Sequence, residues 1–167
     1  MRRTLERPEK ITPDGDDGYF EQLTKAVFRA GFSWAVIREK WEGVLKSFEN
    51  FDLGRVAAYG PDELQRLFVD SRIVRSRRKI IATVENARIM LDYIYEHGSF
   101  HAYLRSLDHL DYHTRVTVFT RLFAGLGRTS ASVFPHFVNE EAPDWPDRSV
   151  RSGARFDVVG HFAANPV

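Results

Sequence analysis

The feature that most constrains the fold of this chain is a glycine-containing turn between two apolar helical segments, in the run Leu122-Phe123-Ala124-Gly125-Leu126-Gly127-Arg128-Thr129-Ser130-Ala131. The run predicts that one helix ends and a second begins within a few residues. We expect Gly125 and Gly127 to take positive φ angles, which other residues adopt only at a cost. Thr129 and Ser130 suit the first turn of the second helix. Unpaired backbone N–H groups at such a turn form a site for a phosphate oxygen, and the alternative is an ordinary glycine-capped corner.

Composition places the chain among compact single domains, since it has 167 residues of which 43% are hydrophobic. There is no run of eighteen apolar residues and no apolar segment behind the charged start MRRTLERPEK. We therefore expect neither a membrane span nor a secretory signal. The chain has no cysteine, which excludes disulfides and thiolate metal sites and favours the reducing cytoplasm.

Charge is unevenly distributed although the net charge is only +1. The segment 72–79 contains no acid and five basic residues, Arg72, Arg75, Arg77, Arg78 and Lys79. A basic face on a near-neutral protein is typical of a protein that contacts one stretch of DNA backbone. The alternative is a solvated face at the start of a helix.

Apolar residues recur at three- and four-residue steps from Tyr19 onward, and no alternating β pattern of any length is present. The sequence therefore predicts an all-α fold with about eight helices. We interpret residues 1–17 as an N-terminal arm and 18–167 as one helical domain, with a helical hairpin at 112–139. The predicted helices cover about 18–30, 33–48, 51–58, 61–68, 76–96, 99–107, 112–123 and 128–139.

Several short segments resemble one known family in their order and spacing: Ala30-Gly31-Phe32-Ser33-Trp34, Phe51-Asp52, Arg72-Ile73-Val74-Arg75-Ser76-Arg77-Arg78-Lys79-Ile80 and Asn86-Ala87-Arg88. They are similar to segments of the 3-methyladenine DNA glycosylase I family, and the glycine turn resembles the hairpin of the helix-hairpin-helix DNA glycosylase superfamily. The resemblance implies a helix-hairpin-helix glycosylase fold and double-stranded DNA with a damaged base as partner. It implies a monofunctional DNA N-glycosylase that removes an alkylated purine in base-excision repair, with 3-methyladenine as the most plausible substrate. We expect a monomer in the cytoplasm, associated with the nucleoid and not with a membrane.

The chain departs from that family at three places. The family has a structural zinc held by cysteine and histidine, whereas this chain lacks cysteine, so we expect no zinc. The family's N-terminal aromatic segment is absent, and its base-contacting glutamate corresponds to Ala26. The alternative is therefore a catalytically inactive protein of the same fold that binds damaged DNA.

The resemblance implies a role for particular residues. Trp34 matches the pocket tryptophan of the family, although a core position is equally compatible with the pattern, and Phe28 and Tyr19 are expected to line the same cavity. The predicted DNA-binding residues are Gly125, Leu126, Gly127, Arg128, Thr129, Arg75, Arg77 and Lys79. Such hairpins also bind a monovalent cation through carbonyl groups, so we expect Na⁺ or K⁺ there and no other cofactor.

A carboxylate near the reacting sugar would stabilise its positive charge or activate water. In the superfamily an aspartate follows the hairpin at a fixed distance, which here reaches Asp147, or Asp144 if the loop is three residues shorter. Either could instead be a solvated residue of the Pro-rich tail. Thr129 stands where strand-cleaving members have lysine, which is why we expect no Schiff-base chemistry. The sequence leaves open which base is excised and what residues 1–17 do.

Overall fold

The computed structural model describes residues 10–144, and this part of the chain is all-α. Its eight α-helices are α1 (Gly15–Arg29), α2 (Trp34–Ser47), α3 (Leu53–Ala57), α4 (Pro61–Phe68), α5 (Arg77–His97), α6 (Phe100–Ser106), α7 (Tyr112–Leu122) and α8 (Arg128–Phe137), with a 3-10 turn at Glu49–Phe51. The predicted fold class is confirmed. None of these helices is both long and apolar enough to cross a membrane.

The predicted bounds hold within about two residues for most helices, but α1 begins at Gly15, before the expected position 18. Asp16 and Asp17 lie in its first turn, where acidic side chains stabilise a helix. The same two carboxylates also accept hydrogen bonds from the first N–H groups of two other helices. Asp16 Oδ1 accepts from the Phe100 N–H at 2.8 Å, and Asp17 Oδ1 accepts from the Leu53 N–H at 3.0 Å. The acidic start of the chain thus connects α1 to α6 and α3.

The central element is α5, which packs against α1, α3, α4 and α6. The core is rich in aromatic rings, and its fully buried ones are Phe20, Phe28, Phe48, Phe51, Phe100, Phe134 and Phe137. Each such ring contributes about 1.5–3 kcal/mol through removal of its surface from water. Trp41 belongs to this core, since it stacks on Phe51 with ring centroids 5.6 Å apart.

The hairpin is formed by α7 and α8, which pack against each other, while α8 also packs along α1. This arrangement places the turn between α7 and α8 close to α1 and α5. The fold therefore positions three sequence features together: the glycine turn, the basic start of α5 and the end of α1.

Candidate functional site

The turn between α7 and α8 has the conformation predicted for one of its two glycines. Gly125 has φ +69°, a region that favours glycine, as expected. Gly127 has φ −73° and ψ 173°, so the expectation of a positive φ there is wrong. The reason is that Gly127 is the N-cap of α8, and an N-cap residue takes extended backbone angles.

The turn is held against α5 by the buried side chain of Asn86. Asn86 Nδ2 donates to the Ala124 carbonyl at 3.0 Å, and the Ala124 N–H donates to Asn86 Oδ1 at 2.7 Å. The packing under Gly125 is close, because a Cβ there would lie 3.0 Å from Ala82 Cβ and 3.2 Å from Val27 Cγ1. Two hydrogen bonds and a close backbone approach therefore fix the turn on α5 and α1.

Past the Asn86 contact, the turn presents unpaired donors. Among residues 10–144, the backbone N–H groups of Gly125, Leu126 and Gly127 make no hydrogen bond of ordinary geometry. The first N–H groups of α8 are likewise without intrahelical partners, as in any helix. A Cβ at Gly127 would meet no atom within 4 Å, so the space beside this backbone is open. Backbone N–H groups of this kind, at a turn that precedes a helix, can bind a phosphate oxygen.

Exposed arginines surround the start of α5, next to the turn. Arg78 precedes Ala82 by one helical turn and so lies on the same face of α5 as the residue that contacts Gly125. The side chains of Arg75, Arg77 and Arg78 are exposed. Within the described residues, Arg75 and Arg78 pair with no acidic side chain, whereas the Arg77 guanidinium lies 4.9 Å from the Phe68 ring centroid. Arg75 and Arg78 are therefore available to a polyanion.

Lys79 has a different environment from the one expected. Its Nζ donates to the carbonyls of Val27 at 2.8 Å and Phe28 at 3.1 Å, and also to that of Ala30. These are the last carbonyls of α1, where a cation is favourable. Burial, with the charge of Arg78, lowers the pKa of Lys79 to about 8. Lys79 therefore closes the end of α1 in place of the expected phosphate contact, because its three hydrogens are already engaged.

Phe32 is an exposed aromatic residue beside this ammonium group, and the sequence analysis gave it no role. Its side chain is 39% exposed, and Lys79 Nζ lies 5.0 Å from its ring centroid. An aromatic ring presented next to basic side chains can stack on a nucleic-acid base. The signal in the sequence was an apolar residue between Gly31 and the helix-capping Ser33, where a polar residue is usual in a turn.

The three residues expected to line one cavity do not meet. Phe28 is fully buried and packs edge-on against Trp41, and Tyr19 packs against Phe100. Tyr19 is also ten residues from the end of α1, which is about 15 Å along the helix axis. The predicted grouping is corrected, because α1 directs both side chains into the core, where their ring contacts are with Phe100 and Trp41 and not with Trp34.

Trp34 is half-buried at the start of α2, and one face of its indole is covered. The Phe137 ring stacks on it, with centroids 5.5 Å apart and planes at 25°. The Arg29 guanidinium lies 5.7 Å from the Trp34 ring centroid. Ala26 is fully buried on α1, so the position of the family's glutamate has no polar group. Phe137 was missed because its apolar spacing on α8 indicates only a buried position.

Residues 11 and 12, just before α1, contact the end of α8. The Ile11 N–H donates to the Phe137 carbonyl at 3.2 Å, and Asn139 Nδ2 donates to Thr12 Oγ1 at 3.2 Å. These contacts give residues 11 and 12 a place beside the stacked pair of Trp34 and Phe137.

The carboxylate candidates lie at the end of the described chain. Asp144 is exposed, and Asp147 lies outside the described residues, so the role of each stays a prediction. From residue 10 to residue 144, no three histidine, aspartate or glutamate side chains are grouped so as to hold a metal ion. Two carbonyls of the turn already accept hydrogen bonds, Ala124 from Asn86 and Gly127 from the Ala131 N–H at 2.8 Å. A monovalent cation at the hairpin therefore also stays a prediction.

Residues 11–123, well over half of the chain, match the family model described as methyladenine glycosylase. DNA-3-methyladenine glycosylase 1 of Escherichia coli (strain K12) is 38% identical over 72 residues, which are 43% of this chain and 38% of that protein. The matched stretch thus spans well under half the length of this curated relative.

Solved structures of 3-methyladenine DNA glycosylase I have the same fold. The enzyme from Staphylococcus aureus is 22% identical, with a TM-score of 0.67 and 87% of each chain covered. A single-residue variant in complex with 3-methyladenine is 22% identical with a TM-score of 0.66, over 87% of this chain and 88% of that one. A further structure is 26% identical with a TM-score of 0.65, over 76% of this chain and 81% of that one. The resemblance seen in the sequence is confirmed, and the chain belongs to the methyladenine glycosylase family.

Proposed function

We propose that this protein binds duplex DNA at a damaged base and hydrolyses the N-glycosidic bond of an alkylated purine, with 3-methyladenine as the first candidate. The observation that carries the proposal is the turn at Gly125–Gly127, whose unpaired N–H groups are fixed beside the exposed arginines of α5. Family membership supports action on alkylated bases. The reaction belongs to base-excision repair, and we expect a monomer to perform it.

Backbone binding is the first step of this proposal. The N–H groups of Leu126 and Gly127 would donate to one phosphate, and Arg75 and Arg78 would neutralise others. Phe32 would contact the bases at the same surface. Because these groups are on three elements fixed to one another, they would engage one stretch of duplex together.

Excision requires that the target base leaves the base stack and that its N-glycosidic bond to the sugar is then broken. The sugar gains positive charge as the bond breaks, so Asp147 or Asp144 would stabilise it or activate water. Alkylated purines such as 3-methyladenine are cationic and leave readily, which lowers the demand on the protein. Thr129 has no amine, and this supports hydrolysis without a covalent Schiff base.

A second candidate is recognition of damaged DNA without excision. Two observations favour it: Ala26 offers no polar contact to a base, and Phe137 covers one face of Trp34. The backbone-binding surface would serve both functions, since it only binds.

The deciding experiment measures free bases released from duplex DNA treated with a methylating agent. It compares the unchanged protein with Asp147→Asn, Asp144→Asn and the control Asp92→Asn, which removes an exposed carboxylate on α5. We expect release of 3-methyladenine that Asp92→Asn leaves unchanged and that one of the other two substitutions abolishes. Release of no base, together with tight binding of an abasic-site duplex, would overturn the excision proposal in favour of the second candidate.

A further inference from the structure

We propose that Phe137 is a specificity-determining residue, which excludes a base from Trp34 until its own ring moves away. The inference rests on the proposed function, because it concerns how an extruded base would reach the same site. It goes further by naming the intramolecular group with which that base competes.

The stacking geometry is the first observation. The two rings are 5.5 Å apart at 25°, an offset stack of the kind that a purine would form on the same indole face. Phe137 is 2% exposed, so its ring is enclosed on this face and no room remains beside it for a second planar group. A base that stacks there must therefore replace Phe137.

The second observation is that this ring is at the last residue of α8, where the chain leaves regular structure. The Phe137 carbonyl accepts from the Ile11 N–H, and Asn139 Nδ2 donates to Thr12. These two contacts connect the end of α8 to residues 11 and 12, which precede α1. Movement of Phe137 therefore involves this end of α8, and not the hairpin turn at its opposite end.

The charge beside Trp34 bears on which bases are excluded. Among the described residues, the Arg29 guanidinium lies over this ring, 5.7 Å from the indole centroid, and Ala26 supplies no carboxylate. Within that part of the chain, a positively charged base would therefore meet a like charge at Trp34. The closed state lowers the apparent affinity for any planar base by the fraction of molecules that are open.

The test is titration of free 3-methyladenine into the full chain, followed by calorimetry. The variants are Phe137→Ala, which removes the ring, and Phe137→Leu, which keeps most of the buried volume but not the stack. The matched control is Phe134→Ala, three residues earlier on α8, whose ring packs edge-on against Phe119 at 5.5 Å and is equally buried. Thermal unfolding of each variant identifies those that are folded.

We expect Phe137→Ala to bind 3-methyladenine at least tenfold more tightly than the unchanged protein, with a smaller gain for Phe137→Leu. Phe134→Ala should give no gain, and Trp34→Leu added to Phe137→Ala should remove it. Equal binding by the unchanged protein and both Phe137 variants would overturn the inference, as would the same gain in Phe134→Ala. If Phe137→Ala does not fold, Phe137→Leu decides by the same criterion.

Base release distinguishes this inference from the proposed function. A tenfold gain in binding with no base released by any variant would leave the inference standing and remove the excision proposal. If the unchanged protein released 3-methyladenine and neither Phe137 variant bound it more tightly, the excision proposal would stand and this inference would be overturned.

Discussion

Asn86 and Ala124 exchange two hydrogen bonds, in which the side-chain amide satisfies both the N–H and the carbonyl of one residue in the hairpin turn. Asn86 is on α5 and is 1% exposed. The turn therefore takes its position from α5, whose first residues carry the exposed arginines. Backbone amides and basic side chains form one rigid surface as a result.

Replacement of Asn86 by alanine should detach the turn from α5. The partly buried N–H and carbonyl of Ala124 would lose their partners, which costs about 1–3 kcal/mol of unfolding free energy. The affinity for an abasic-site duplex should fall further than the loss of folded protein explains. Urea unfolding and fluorescence anisotropy measure the two quantities.

The control for that change is Thr83→Val on the same helix. It removes a buried hydroxyl whose hydrogen bond goes to the Lys79 carbonyl and not to the turn. Its effect on DNA affinity should be small. Equal losses of affinity in Asn86→Ala and Thr83→Val would show that Asn86 acts on stability alone.

Substitution by alanine should destabilise the protein at Gly125 and leave its stability almost unchanged at Gly127. Gly125→Ala places a Cβ at φ +69°, 3.0 Å from Ala82 Cβ, and should lower the unfolding free energy by about 1–3 kcal/mol. Gly127→Ala meets open space at an ordinary φ, so stability should change by less than about 0.5 kcal/mol. Thermal unfolding of both variants tests this contrast.

A loss of DNA affinity in the folded Gly127→Ala protein would then report crowding at the phosphate site. If Gly127→Ala proved the more destabilising of the two, the turn geometry described above would be incorrect.

Arg78 and Lys79 are neighbours in sequence but should have separate effects. Arg78→Ala should leave stability within about 0.5 kcal/mol and reduce the slope of log affinity against log salt by about 1, because one phosphate contact is lost. Lys79→Met should lower stability by about 1–3 kcal/mol, since the last carbonyls of α1 lose their donor. Salt titrations of duplex binding and urea unfolding separate the two roles.

Both substitutions remove one positive charge, so each serves as the control of the other. If Lys79→Met left stability unchanged and reduced the salt slope, Lys79 would be a phosphate-binding residue, as its sequence position predicted.

Asp70 should make the fold sensitive to acid. Its carboxylate accepts from Arg72 Nη2 and Ser47 Oγ, both at 2.7 Å, and the hydrogen bonds from Arg72 hold its pKa well below the usual range. Because the pKa is lower in the folded state, Asp70 contributes fully to the unfolding free energy above its unfolded-state pKa of about 4. That contribution is lost as the pH falls below this value towards the folded-state pKa. Asp70→Asn should lower the unfolding free energy by about 1–2 kcal/mol at neutral pH, and its unfolding free energy should fall less steeply in acid.

Urea unfolding between neutral pH and about pH 3 measures this profile. Asp92→Asn on the exposed side of α5 should retain the profile of the unchanged protein. A decline in acid that persists undiminished in Asp70→Asn would assign the sensitivity to other groups.

Local features of this protein could be predicted from its sequence. Apolar spacing predicted eight helices, and the glycine run predicted the end of α7 and the start of α8, because such features depend on residues within a few positions of one another. The same locality explains the family resemblance, which rests on short segments around Trp34 and Lys79.

Only the tertiary structure decided which distant groups meet. Lys79 closes α1, Asn86 holds Ala124, and Phe137 covers Trp34. Each partner lies far away in the sequence, so its identity depends on how α1, α2, α5 and the hairpin pack, which the periodicity of any one helix does not encode. For the same reason Tyr19 and Phe28, correctly predicted to be apolar positions of α1, turned out to face the core and not a common cavity.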